Sequence, residues 1–152
     1  MTAIRNLFLA CALTSLASGC GNGKADMSEA RLEKMAGGSL EKVVPTSGIV
    51  TIDGEPQGGV NVYLYDKTPT IVLKNCRTDD EGQFCFTSYL SCDGLKPGKY
   101  KLGFEYVPKM KKNGTGVDLF SGKYKNPVKN DFKLIVEEDN PQTELTYELK
   151  LK

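Results

Sequence analysis

From residue 43 onward, apolar and polar side chains alternate with a period of two, the spacing of strands that bury one face. Within residues 43–53, Val50 and Ile52 point one way. Pro45 breaks the start of that run and places it at a sheet edge, because proline donates no ladder hydrogen bond. Val60, Val62 and Leu64 then alternate with Asn61, Tyr63 and Tyr65. Residues 70–77 make a third strand. Residues 83–88 make a fourth, with Phe84 and Phe86 on one face. Tyr100, Leu102, Phe104 and Tyr106 alternate with Lys101, Gly103 and Glu105 along a fifth, residues 98–107. Phe132, Leu134 and Val136 mark a sixth, and Leu145, Tyr147, Leu149 and Leu151 a seventh. The segments are punctuated by Asp53-Gly54-Glu55-Pro56, Asp79-Asp80-Glu81-Gly82 and Lys96-Pro97-Gly98, all rich in turn formers. Seven short strands with turns between them predict an all-β sandwich. A domain of this size buries upwards of roughly 60% of its unfolded surface, so its core needs no cofactor to hold.

Before residue 43 the pattern differs. Arg5 precedes an apolar run, residues 7–16, of about ten residues, too short to cross a bilayer core of about 30 Å as a helix. Leu16-Ala17-Ser18-Gly19-Cys20 resembles the lipobox of bacterial lipoproteins, with Ala17 where leucine is usual. The resemblance implies cleavage before Cys20, acylation of Cys20 (including palmitate) and a membrane anchor, since several acyl chains hold far better than one. The alternative is an ordinary cleaved signal peptide. Gly21 stands where lipoproteins kept at the inner membrane often carry aspartate, which favours the outer membrane. The chain thus divides into a signal at 1–19, a tether at 20–42 and a domain at 43–152, facing the periplasm or the cell exterior. In the tether, Asp26 and Glu29 resemble a capping box for a short helix over 27–36, with Leu32, Met35 and Ala36 on one face. Such a helix is marginal alone. It reads as part of a flexible spacer or as a docking helix.

Composition removes several functions. The chain has no histidine, the commonest metal ligand and the usual general base near neutral pH. Net charge is +1; without Arg5 the 20 basic residues become 19, matching 19 acidic ones. That balance argues against nucleic acid, which selects strongly basic domains.

A further resemblance rests on the order of several motifs. Ser47-Gly48-Ile49-Val50-Thr51-Ile52-Asp53-Gly54-Glu55-Pro56 is followed by Gly59-Val60-Asn61-Val62 and by Thr78-Asp79-Asp80-Glu81-Gly82-Gln83-Phe84. Lys96-Pro97-Gly98-Lys99-Tyr100 comes next, and residues 123–127 add a Lys-Tyr-x-Asn-Pro piece. Together they resemble the carboxypeptidase regulatory-like domain, in particular that of small lipoproteins of planctomycete-type bacteria. The resemblance implies a seven-stranded Greek-key sandwich of the transthyretin (prealbumin) type, and no settled activity. Cys92 departs from it, standing where relatives usually have glycine.

Three cysteines remain beyond the tether, in an oxidising compartment. If Asp79 to Gly82 closes a four-residue hairpin, Cys76 faces Cys85, close enough for a disulfide. Cys76–Cys92 is the second choice. Neither a metal nor a cofactor is expected: the thiols lack a C-x-x-C spacing, and the Asp79-Asp80-Glu81 turn lacks the later acidic ligand of a calcium loop. Residues 107–130 form a long connection, and long connections often bind. Lys109, Lys111 and Lys112 on that connection, with Phe120 and Tyr124, are the candidate contact surface for an envelope protein or a glycan. Asn113-Gly114-Thr115 fits a glycosylation sequon without meaning in a bacterial lipoprotein. Tyr63 and Tyr65 face away from Val62 and Leu64, to cover the sheet or a partner. The expectation is a membrane-anchored envelope lipoprotein with a non-catalytic structural or binding module. A carbohydrate or peptidoglycan binder is the alternative, and a hydrolase of transthyretin-like fold stands behind it.

Overall fold

The computed structural model describes residues 28–66, 71–109, 111–112 and 116–151. It contains one helix, α1 (Glu29–Ala36), and eight strands: β1 (Thr46–Ile52), β2 (Glu55–Pro56), β3 (Val60–Tyr65), β4 (Val72–Arg77), β5 (Gln83–Cys85), β6 (Gly98–Tyr106), β7 (Lys133–Val136) and β8 (Gln142–Leu149). Each of the seven predicted runs carries a strand. The eighth comes from the expected Asp53–Pro56 turn. Asp53 and Gly54 both have positive φ, the geometry that folds β2 directly back onto Thr51 and Ile52.

The strands form two sheets of four. In one, β1 pairs antiparallel with β2 and β5 and parallel with β8. The other runs β4-β3-β6-β7, antiparallel throughout. The predicted alternation sets the faces. Val50, Ile52 and Leu149 from one sheet meet Val62, Leu64, Leu102 and Phe104 from the other, all buried. Burial of each such side chain stabilises the fold by about 1.5–3 kcal/mol. Phe104, Phe132 and Tyr147 close the layer, Phe132 edge to face with both others and Tyr147 tilted on Phe104, with ring centroids 5.1–6.0 Å apart.

The expected hairpin between β4 and β5 is where the structure departs from the sequence reading. The chain does reverse at Asp79–Gly82: the Asp79 carboxylate accepts the Gln83 N–H at 2.7 Å. But the two strands leave into different sheets. Thr78 is buried at the crossing, donating its hydroxyl to the Gln57 carbonyl at 2.8 Å and accepting from the Val60 N–H at 2.9 Å. Cys76 therefore lies opposite Val62, and Cys85 opposite Ser47. The predicted Cys76–Cys85 bridge does not form, nor does Cys76–Cys92. The disulfide joins Cys85 to Cys92, seven residues apart with Cα atoms at 5.2 Å. Cys76 stays a free, half-buried thiol, its pKa pushed up to about 12 by burial. Cys92 has a φ of 57°, the left-handed region in which the glycine of relatives is at ease.

Candidate functional site

The long connection after β6 is folded onto the sandwich. The Asp118 carboxylate accepts N–H groups from Tyr106, Phe120 and Gly122 at 2.9, 3.0 and 2.7 Å, and so turns Phe120 inward. Phe120 is 3% exposed, wedged between Tyr106 and Tyr124. It belongs to the core and not to a contact surface, which corrects the sequence expectation. Tyr124 packs against the core, and its hydroxyl pairs with the Lys150 backbone at 3.2 Å. Of the predicted surface, Lys109, Lys111 and Lys112 are exposed. Residue 110 and the sequon at 113–115 lie outside the described residues, as do Cys20 and the whole signal segment.

The outer face of the second sheet is covered too. Gly103 has no side chain, so the Lys125 carbonyl and the Tyr65 ring lie directly over it. Tyr65 donates its hydroxyl to that carbonyl at 3.2 Å. Tyr63 donates to Glu105 at 2.6 Å, and Lys125 pairs with the same carboxylate at 2.8 Å. Burial works to raise the Glu105 pKa, but the bonds from Lys125 and Tyr63 outweigh it and hold the carboxyl below its usual range. Every donor and acceptor in this patch is engaged with another, as structural polar networks are. The expectation that Tyr63 and Tyr65 cover the sheet agrees with these contacts. Among the described residues no cluster of three metal-ligating side chains occurs, and no buried side-chain nitrogen or oxygen lacks a hydrogen bond.

The concave surface lies elsewhere, at the end of the sandwich where β3 finishes and β6 begins. Here Leu32, Met35 and Ala36 of α1 line one cavity with Leu64 of β3, Leu73 of β4 and Tyr100 of β6. The helix starts at Glu29, two residues later than predicted; Ser28 is the N-cap, and Asp26 is outside the described residues. Gly37 ends it in the left-handed conformation, and Gly38 N–H reaches back to the Glu33 carbonyl at 3.1 Å. Of the predicted apolar face only Leu32 is buried, at 8% exposure; Met35 is 74% exposed. The following segment is fixed to the domain. Glu41 pairs with Lys96 at 2.8 Å and donates its N–H to the Tyr89 hydroxyl at 3.1 Å. Val44 and Leu95 exchange both backbone hydrogen bonds, at 2.8 and 3.0 Å.

Beneath α1 remains a cleft of about 810 Å³. Leu64 and Leu95 form its floor; Leu73, Tyr89 and Tyr100 stand on its walls. Tyr100 donates its hydroxyl to the Lys96 carbonyl at 2.8 Å. The loop carrying Tyr89 is held by the Cys85–Cys92 bridge and by Asp93, whose two carboxylate oxygens accept the N–H groups of Ser88, Tyr89 and Leu90 at 2.6, 2.8 and 2.9 Å. Lys74 enters from β4, half-buried, and donates to the Thr87 carbonyl at 3.1 Å. Among the described residues that ammonium meets a carbonyl and no carboxylate.

Of the cleft residues, only Leu32, Met35 and Ala36 stood out in the sequence, as one face of a short spacer or docking helix. One signal was available: Ile71-Val72-Leu73 is a run of three apolar residues that breaks the period of two. It corresponds to a register shift in the β3–β4 ladder between Leu64 and Tyr65, where Leu73 is the extra residue.

No protein-family model and no curated protein matches the chain. Among solved structures it is similar to the major pilin subunit BcpA of Bacillus cereus, with a TM-score of 0.42, 16% identity, and coverage of 72% of this chain and 31% of that one. It is also similar to (S)-allantoin synthase, with a TM-score of 0.32, 16% identity and coverage of 78% and 44%. A 9R-lipoxygenase from Cyanothece matches at a TM-score of 0.30 and 11% identity, over 80% of this chain and 20% of that one. The chain thus spans less than half the length of each of these proteins.

Proposed function

We propose that this chain is an envelope lipoprotein, anchored through acylated Cys20, whose non-catalytic β-sandwich binds a partner in the cleft under α1. The cleft is the observation that carries the binding half of this reading. It is a mixed surface of leucines, two tyrosines, Lys74 and the Lys96–Glu41 pair, on a domain whose buried side-chain polar groups, among the described residues, are all hydrogen-bonded. Concave surfaces that combine apolar side chains with placed polar groups are where ligands bind. The absence of histidine supports the non-catalytic half. The anchoring half is supported by the charged, apolar and small-residue order of residues 1–20. The order of the turn motifs supports the finer fold reading, a Greek-key domain of the carboxypeptidase regulatory-like type.

A glycan or peptidoglycan fragment is the second reading, favoured by Tyr89 and Tyr100 standing in one cleft with polar groups between them. The anchor is tested by the intact mass of the protein from the membrane fraction. The expected mass is that of a chain beginning at Cys20 with added acyl groups, and Cys20→Ala should abolish both the added mass and membrane retention. An unmodified chain cut elsewhere would overturn the anchor and leave a secreted module.

A further inference from the structure

We propose that the cleft and the open edge of β4 together receive an extended peptide that carries a carboxylate. The proposal rests on the reading of the sandwich as a binding module and names its partner.

The edge supplies the first argument. β4 is bonded to β3 on one side and, among the described residues, to no strand on the other. Thr78 turns its N–H toward Val60, so alternation turns Lys74 and Cys76 toward β3 and leaves the Asn75 N–H and C=O directed outward. The groups that complement such an edge are those of another strand. Edges that must stay free are blunted with proline, charge or a covering element. This one carries Lys74 and Arg77 but leads with apolar residues, Ile71 at 68% and Leu73 at 48% exposure, and Leu73 continues into the cleft.

Charge supplies the second. Lys96 and Glu41 neutralise each other at the cleft rim. Among the described residues, Lys74 is then the cleft-lining charge without a carboxylate partner, donating to a carbonyl. An ammonium without a carboxylate partner is a ready donor to an anion that a ligand brings, in a charge-assisted hydrogen bond. A carboxylate beside Lys74, next to an apolar side chain over Leu73 and Leu95, matches both features. A fatty acid offers the carboxylate and the apolar tail but no backbone groups for the edge. A neutral glycan offers neither the charge nor the strand.

The test is selection from a library of random eight-residue peptides with free C-termini, using the mature protein. Enriched peptides should combine an acidic side chain or the C-terminal carboxylate with aliphatic or β-branched neighbours. A synthesised winner should bind about tenfold or more weakly to Lys74→Gln, the loss expected for a charge-assisted hydrogen bond. It should bind normally to Lys74→Arg. Asn75→Pro should weaken it similarly, because proline removes the outward N–H while leaving the bonds to β3. Both variants should melt within a degree or two of the parent, and bound peptide should slow hydrogen exchange at Asn75. No enrichment, or peptides indifferent to both substitutions, would overturn the proposal. Neutral N-acetylglucosamine oligosaccharides, which carry neither peptide nor carboxylate, form the control arm: if they bind and Leu73→Asp abolishes it while no peptide is selected, the peptide proposal falls and the binding-module reading stands. If neither class binds, both fall.

Discussion

Asp93 gathers three backbone N–H groups from residues 88–90 and so shapes the loop that carries Tyr89 to the cleft. Burial pushes its pKa up, but the N–H groups of Ser88, Leu90 and Tyr89 outweigh burial and hold the carboxyl below its ordinary range. The sign of the pH effect follows. A depressed carboxyl contributes stability above its unfolded value, about 3.9 for aspartate, and loses it as pH falls through the depressed folded value. We expect hydrogen exchange at residues 88–90 to accelerate as pH drops below about 4, in excess of the chemical rate. Asp93→Asn should flatten that dependence and lower stability by about 1–2 kcal/mol, measured by denaturant titration at neutral pH. At this scale the sequence was only partly legible. Asp93 did not stand out, because the three N–H groups converge on it only after the loop is closed around them. Phe120 shows the same limit. As a lone aromatic in a long connection it looked exposed, and only the Asp118 carboxylate, three bonds deep, turns it inward.

The loop from Cys85 to Cys92 is the element that the bridge defines, and the strand that leads into it, β5, pairs with β1. Loop-closure entropy for so short a loop is worth about 2.5 kcal/mol. We expect Cys92→Ser to lower stability by roughly that amount under oxidising conditions. The loss should concentrate at residues 86–95, which hydrogen exchange can separate from the rest of the domain, and reductant should reproduce it in the parent protein. Alternation along the chain located every long strand, because it reports which face is buried. It carries no record of which strand lies alongside. Phe84 and Phe86 were correctly read as inward, yet the neighbour of Cys85 is Ser47 and not Cys76, because the chain crosses between sheets at a buried threonine that looked like an ordinary turn residue. The helix shows the converse. Its existence was legible, but Met35 stays exposed because the surface beneath α1 is a cleft and not a packed layer.

For the molecule as a whole, the two-sheet sandwich was legible from strand number and turn spacing. The cleft was not, since it arises where α1, the 86–95 loop and the start of β6 meet. One pairing reaches further than the site. β1 and β8 lie side by side and run the same way, paired from Thr46↔Gln142 to Ile52↔Leu149 with one register shift between Thr46 and Gly48. Tension that enters ahead of Thr46 and leaves beyond Leu149 therefore pulls at opposite ends of one ladder. It drags the two strands lengthwise past each other and loads their hydrogen bonds together. Pulling at Thr46 and Gln142, which share an end, peels the same ladder one bond at a time. With attachment cysteines introduced by the corresponding substitutions, single-molecule stretching should show a markedly higher rupture force in the first geometry than in the second, the barrier to forced opening being set by the unfolding rate. A domain built this way resists stretching along the line from its entry to its exit far better than its modest size implies, as a shear joint does in a loaded frame.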